Sequence, residues 1–88
     1  MTGTPRPIAW LALDEGTPVW GTDGSELGSV GTVVGDEQKD IFHGITIRSG
    51  LFSDERLVPA DRVEEVLTDR VVVRVSEEEM DALEVYRP

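Results

Sequence analysis

The chain has 88 residues and a mass of 9.7 kDa, enough for a single hydrophobic core. Its 18 acidic against 8 basic side chains give a formal charge of −10 and an isoelectric point near 4.3, which exclude the basic face that nucleic acid or anionic lipid requires. The absence of cysteine removes disulfides, thiolate chemistry and Cys-ligated zinc or iron–sulfur centres.

In chain order, residues 1–7 carry two prolines, a glycine and two threonines and predict a loose tail. Residues 8–13 form a short apolar segment, too short to span a membrane or to serve as a signal core. We expect this segment to pack on the domain as a lid, with a cytoplasmic location as the default. The expected division is therefore 1–13 as tail and flanking segment and 14–88 as the folded domain.

From Thr17 the pattern is that of strands. Residues 17–21 form a first short strand, with Pro18 at a position a first or edge strand tolerates. Asp23-Gly24 predicts a hairpin, since both central residues of a type I′ turn take positive φ. Residues 27–34 return, and Gly28, Gly31 and Gly35 suggest the bulges that curl a sheet. After a polar loop, residues 41–48 alternate. Ile41, His43, Ile45 and Ile47 are expected on one face, and Phe42, Gly44, Thr46 and Arg48 on the other. Leu51 and Phe52 follow near a loop tip. Residues 56–58 give a brief strand ended by Pro59, and residues 62–67 and 70–75 give a hairpin across Thr68-Asp69. Ser76 and Glu79 have capping-box spacing, predicting a short C-terminal helix that buries Met80 and Leu83.

The expected fold is thus mainly β: a small barrel of five to six antiparallel strands with a short C-terminal helix. Residues 16–30 resemble the opening hairpin of a PRC-barrel domain, matching its G-x-x-V-x-x-x-D-G-x-x-[IL]-G-x-V run at Gly16, Val19, Asp23, Gly24, Leu27, Gly28 and Val30. Val58, Pro59 and Val63 resemble the family's later V-P-x-x-x-V stretch, and residues 71–80 are similar to its last strand and closing helix. The resemblance covers roughly residues 14–84. It implies a β-barrel module that works by contact, as in the photosynthetic reaction-centre H subunit, a ribosome maturation factor and small stand-alone proteins. With no transmembrane helix and no separate N-terminal domain expected, the stand-alone class is the nearest.

No catalytic constellation stands out. His43 is the one histidine, so a nucleophilic pair has a single available base, and no G-x-S-x-G elbow accompanies it. Its isoleucine neighbours suggest a structural polar residue on the buried face or at the barrel rim. The acidic pairs Asp14/Glu15, Asp36/Glu37, Asp54/Glu55 and Glu64/Glu65 lie in polar turns or beside arginines and read as solvated surface. Asp36, Glu37 and Asp40 lack calcium-loop spacing, and the glycines match neither phosphate-binding fingerprint. No catalytic, cofactor or metal residue is assigned.

Trp20 and Phe42 read as core. Trp10, Leu51 and Phe52 lie outside the regular strands and are the candidate interface, either packing within the chain or forming a homodimer contact. The expected function is a non-enzymatic interaction or assembly module that self-associates and docks a protein partner with a basic patch, without direct nucleic-acid or membrane contact. Two alternatives are a small-ligand or metal-binding barrel with His43 at its mouth, and a protein contact related to ribosome maturation.

Overall fold

A computed structural model of the chain describes residues 9–50 and 54–86. Among the described residues seven strands form one sheet: β1 (Pro18–Gly21), β2 (Glu26–Asp36), β3 (Ile41–Arg48), β4 (Arg56–Pro59), β5 (Val63–Val66), β6 (Val71–Val73) and β7 (Glu84–Val85). Their spatial order is β5-β6-β1-β2-β3-β4-β7. Neighbours run antiparallel except β1 and β6, which are parallel. Short 3-10 segments cover Trp10–Ala12, Ala60–Arg62 and Glu77–Ala82.

One face of this curled sheet holds the core. Val19, Val30, Ile45, Ile47, Val58, Val71 and Val73 are fully buried, and Leu13, Leu27, Val75 and Met80 complete the cluster. Each such side chain contributes about 1.5–3 kcal/mol of transfer free energy. Leu13 thus ties the end of the flanking segment into the same core.

Strict alternation would not produce this set, and bulges explain the difference. Val30 pairs with Ile47 and Val33 with Ile45, so Gly31 and Thr32 together oppose Thr46 alone. On β3, Phe42 pairs with Gly35 and Gly44 with Val34, leaving His43 as the extra residue. An inserted residue reverses the side-chain parity beyond it. Phe42 therefore packs against the core, whereas Ile41 and His43 are exposed. This corrects the expected grouping of Ile41 and His43 with Ile45 and Ile47. Gly44 takes φ +147°, and a Cβ there would strike the Val58 carbonyl oxygen, so glycine alone suits the bulge. A third insertion lies on β5, where Val63 pairs with Val73 and Glu65 with Val72, so Glu64 is extra.

Four further expectations are corrected. The sheet has seven strands, because the Arg56 guanidinium donates to the carbonyls of Asp81 and Leu83, both at 3.1 Å, and holds the chain where Glu84 and Val85 pair with β4. Two residues are too short to leave a periodic signal. The sheet is mixed rather than antiparallel, because β1 meets β6 through a non-local pairing that no local pattern encodes. It is also open rather than a closed barrel, since Ala60–Arg62 carries the chain from β4 across to the opposite edge. Finally, the closing helix is a 3-10 segment. Its capping box forms, with Glu79 N donating to Ser76 Oγ at 3.3 Å and Ser76 N to Glu79 Oε1 at 3.0 Å. Leu83 is already extended and leads into β7, which stops the helix early.

The first hairpin forms where Asp23-Gly24 predicts it, though not as a type I′ turn. Gly24 alone has positive φ, at +88°, and its N–H returns to the Gly21 carbonyl at 3.0 Å. The Asp23 carboxylate accepts from both the hydroxyl and the N–H of Ser25, chiefly the hydroxyl, which holds its pKa below the ordinary value.

Candidate functional site: an apolar groove at the open seam

Two walls face each other between the edge strand β5 and the start of β3. The first begins at Trp10, whose ring stacks on Phe42 with centroids 5.4 Å apart and planes inclined by 26°. Offset ring pairs of this kind add about 0.5–1.5 kcal/mol beyond their buried area. The stack depends on a close approach to backbone, because a Cβ on Gly35 would lie 2.8 Å from the indole. The indole N–H donates to Asp40 Oδ1 at 3.3 Å. Asp40 is presented by a tight turn in which Asp36 Oδ1 accepts from the N–H groups of Gln38 and Lys39, and its own φ is +54°.

The opposite wall is β5. Ala60, Val63, Glu64, Glu65 and Val66 line it, and with Trp10 and Phe42 they enclose a groove of about 410 Å³. The Glu64 bulge sets Val63 and Val66, three residues apart, against the core cluster. Glu64 pairs with Arg74 at 3.2 Å across the β5–β6 hairpin. Glu65 is exposed and forms no ion pair among the described residues. Leu11, 52% exposed, and Ile41, 43% exposed, adjoin Trp10 and Phe42 in the chain.

This lining offers aromatic and aliphatic contact with carboxylates at the margin. Among the described residues it holds no hydroxyl nucleophile, imidazole or amine.

A second hollow, lined by Asp61, Arg62, Arg74 and Glu79, is polar and internally paired. Arg62 meets Glu79 at 3.6 Å, while Arg74 pairs with Glu64 and donates to the Asp61 carbonyl. The Ser76 N–H and hydroxyl, followed by Arg62, hold the Glu79 carboxyl below its ordinary pKa.

Farther along the sheet, Glu55 forms a latch. Its Oε1 accepts from the hydroxyls of Thr46 and Thr32, the latter at 3.0 Å, and Arg48 lies 3.8 Å from Oε2. Thr46 is the one fully buried polar residue among those described. The Thr46 hydroxyl foremost, then Thr32 and Arg48, lower the Glu55 pKa against the burial that would raise it.

Residues 15–80 match the model of the PRC-barrel domain family. The chain belongs to the PRC-barrel family. No curated protein matches this PRC-barrel chain. The PRC-barrel model spans β1 to β6 and so contains Phe42 and all of β5, while Trp10 lies before it.

Of the residues singled out by sequence, Trp10 is in the groove, whereas Leu51 and Phe52 lie outside the described residues. His43 is exposed at the β3 bulge and away from the groove lining. Sequence reading assigned Phe42 to the core, which it does touch, and missed its second role as a groove wall. It read Glu65, with Glu64, as solvated surface and Val63 as part of the family resemblance, and did not join them with Val66 into a wall. The available signal was the V-E-E-V spacing, whose two valines share a face only if a residue is bulged. Among the described residues no three His, Asp or Glu side chains converge in a metal-holding group. No helix among them is long and apolar enough to cross a membrane.

Proposed function

We propose that this chain is a non-catalytic protein-interaction module that self-associates and docks a protein partner. The observation that carries the reading is the groove, whose walls are apolar and whose margin is acidic. Such a site contributes contact area and charge, not proton or group transfer. Leu11 and Ile41 extend the apolar surface beside Trp10 and are the side chains best exposed to meet a second copy. The formal charge of −10 favours partners with basic patches and speeds their association at low salt.

Native mass spectrometry of the full chain, with and without Leu11→Ser and Ile41→Ser, tests self-association. A dimer that the substitutions dissolve is the expected result. A monomer at high micromolar concentration would overturn that part of the proposal. For docking, affinity for the partner should fall as salt rises, and indifference to salt would remove the electrostatic part.

The groove volume also falls in the ~300–1,000 Å³ range of small-ligand sites, which favours a ligand-binding barrel as a second reading. A thermal-shift screen separates the two, because a ligand at about 100 times its Kd adds about 2.7 kcal/mol.

A further inference from the structure

We propose that the groove and the unpaired edge of β5 together form a strand-addition site for an extended, basic segment of a protein partner. The inference rests on the reading of the chain as an interaction module and names the site and chemistry of its docking.

Three observations converge on it. First, β5 ends the sheet and pairs with β6 alone, so its outer edge has backbone donors and acceptors without a neighbouring strand among the described residues. Such an edge is a template for another strand. All four β5 residues line the groove, so an added strand would enter beside Trp10 and Phe42. A helix, whose backbone bonds are internal, would leave that edge unpaired.

Second, the chemistry of the walls specifies side chains. In a strand, successive residues point to opposite sides. One set would meet Val63, Val66, Phe42 and Trp10 and must be apolar. The other set would pass Glu65 and Glu64, which favours Lys or Arg. Of those two carboxylates, Glu64 already has Arg74, while Glu65 has no cation among the described residues.

Third, the same charges argue against a second copy of β5 as occupant. Laying Val63–Val66 against itself would bring Glu64 and Glu65 of one chain beside those of the other, and like charges opposed across a strand pair destabilise it. Leu11 and Ile41 are not among the groove-lining residues, so a dimer contact through them can be tested separately from β5.

The test selects random dodecapeptides, displayed on phage, against the immobilised full chain. Expected are enriched peptides of net positive charge with apolar residues at alternate positions. A synthetic copy of one should lose about tenfold or more in affinity to Glu65→Lys, with a smaller loss to Glu65→Gln. It should also slow hydrogen exchange at β5 amides. No enrichment, enrichment without charge bias, indifference to Glu65→Lys, or unprotected β5 amides would each overturn the proposal. Binding that appears only after deletion of residues 2–8 would assign the groove to the chain's own N-terminal segment, and a dimer abolished by Glu65→Lys would assign it to a second copy; either overturns it. If Glu65→Lys preserves the dimer and the salt-dependent partner complex, the strand-addition site falls while the interaction module stands.

Discussion

Glu55 and Glu65 are two carboxylates on one sheet in opposite circumstances. Glu55 reaches over the β2–β3 bulge and accepts from two threonine hydroxyls, one of them fully buried, with Arg48 close by. Glu65 stands exposed at an edge strand beside an apolar groove and has no ion pair among the described residues. A carboxylate whose acceptor capacity is used internally holds the fold, and removing it strands its donors. A carboxylate left to solvent costs little to change and remains available to another molecule. The difference locates stability at the latch and the proposed recognition at the seam, and substitutions at each end should separate the two quantities.

The largest effect should come from Gly44→Ala, at the bulge that links the two regions. The new Cβ would meet the Val58 carbonyl oxygen at a φ of +147°, and relief requires undoing the bulge that turns Phe42 inward. A loss of about 2–4 kcal/mol is expected from strain and clash together. Urea unfolding monitored by far-UV circular dichroism would show it as a lower midpoint. A variant as stable as the parent would mean that the bulge is not required.

Thr46→Val comes next. It keeps the volume but leaves the half-buried Glu55 carboxylate without its closest donor, at a cost of about 1–3 kcal/mol. Glu55→Gln should cost somewhat less at neutral pH, about 1–2 kcal/mol, because the amide oxygen still accepts. Its pH dependence is the sharper test. The folded-state pKa of Glu55 is depressed below the ordinary 4.5. The stabilising contribution is therefore complete above that ordinary value and is lost as pH falls through the folded one. The gap between parent and Glu55→Gln should be constant from pH 7 to about 5.5 and shrink below about 4.5. A gap that widened on acidification would contradict an ionised latch.

Trp10→Ala tests the seam. The ring is half-buried and stacked on Phe42, so its loss should cost about 1–2 kcal/mol, less than a fully buried aromatic would. Near-UV circular dichroism should lose the signal of the coupled rings while the far-UV spectrum is retained. Global unfolding would instead place Trp10 in the core proper.

Much of the β1–β3 region was legible because its signals are local. Asp23-Gly24 marks the hairpin, and the glycines of β2 lie beside the register shifts they suggested. The Ser76–Glu79 capping box is likewise a contact between near neighbours. What was illegible depends on distant pairing. The parallel β1–β6 contact, the Arg56 bridge that creates β7, and the open seam all join residues far apart in the chain. The bulges at His43 and Glu64 hid the groove, because alternation read without them groups Ile41 with Ile45 and Ile47 and sets Val63 and Val66 on opposite faces. Trp10 could be picked out as a contact residue, but its partner could not.

The smallest effects should fall on Glu64 and Glu65, and their smallness is informative. The Glu64–Arg74 pair is solvent-exposed, with side-chain accessibilities of 45% and 59%, so water and salt screen most of its attraction. Glu65 has no ion pair among the described residues to lose. Glu64→Gln and Glu65→Gln should each leave stability within about 0.5 kcal/mol of the parent, equivalent to roughly 2–4 °C in a domain of this size. Thermal melts at low and high salt would measure both. A drop of several kcal/mol for Glu65→Gln would make it a second latch, and the contrast with Glu55 would collapse. Unchanged melting together with weakened partner binding would divide the two carboxylates between fold and recognition.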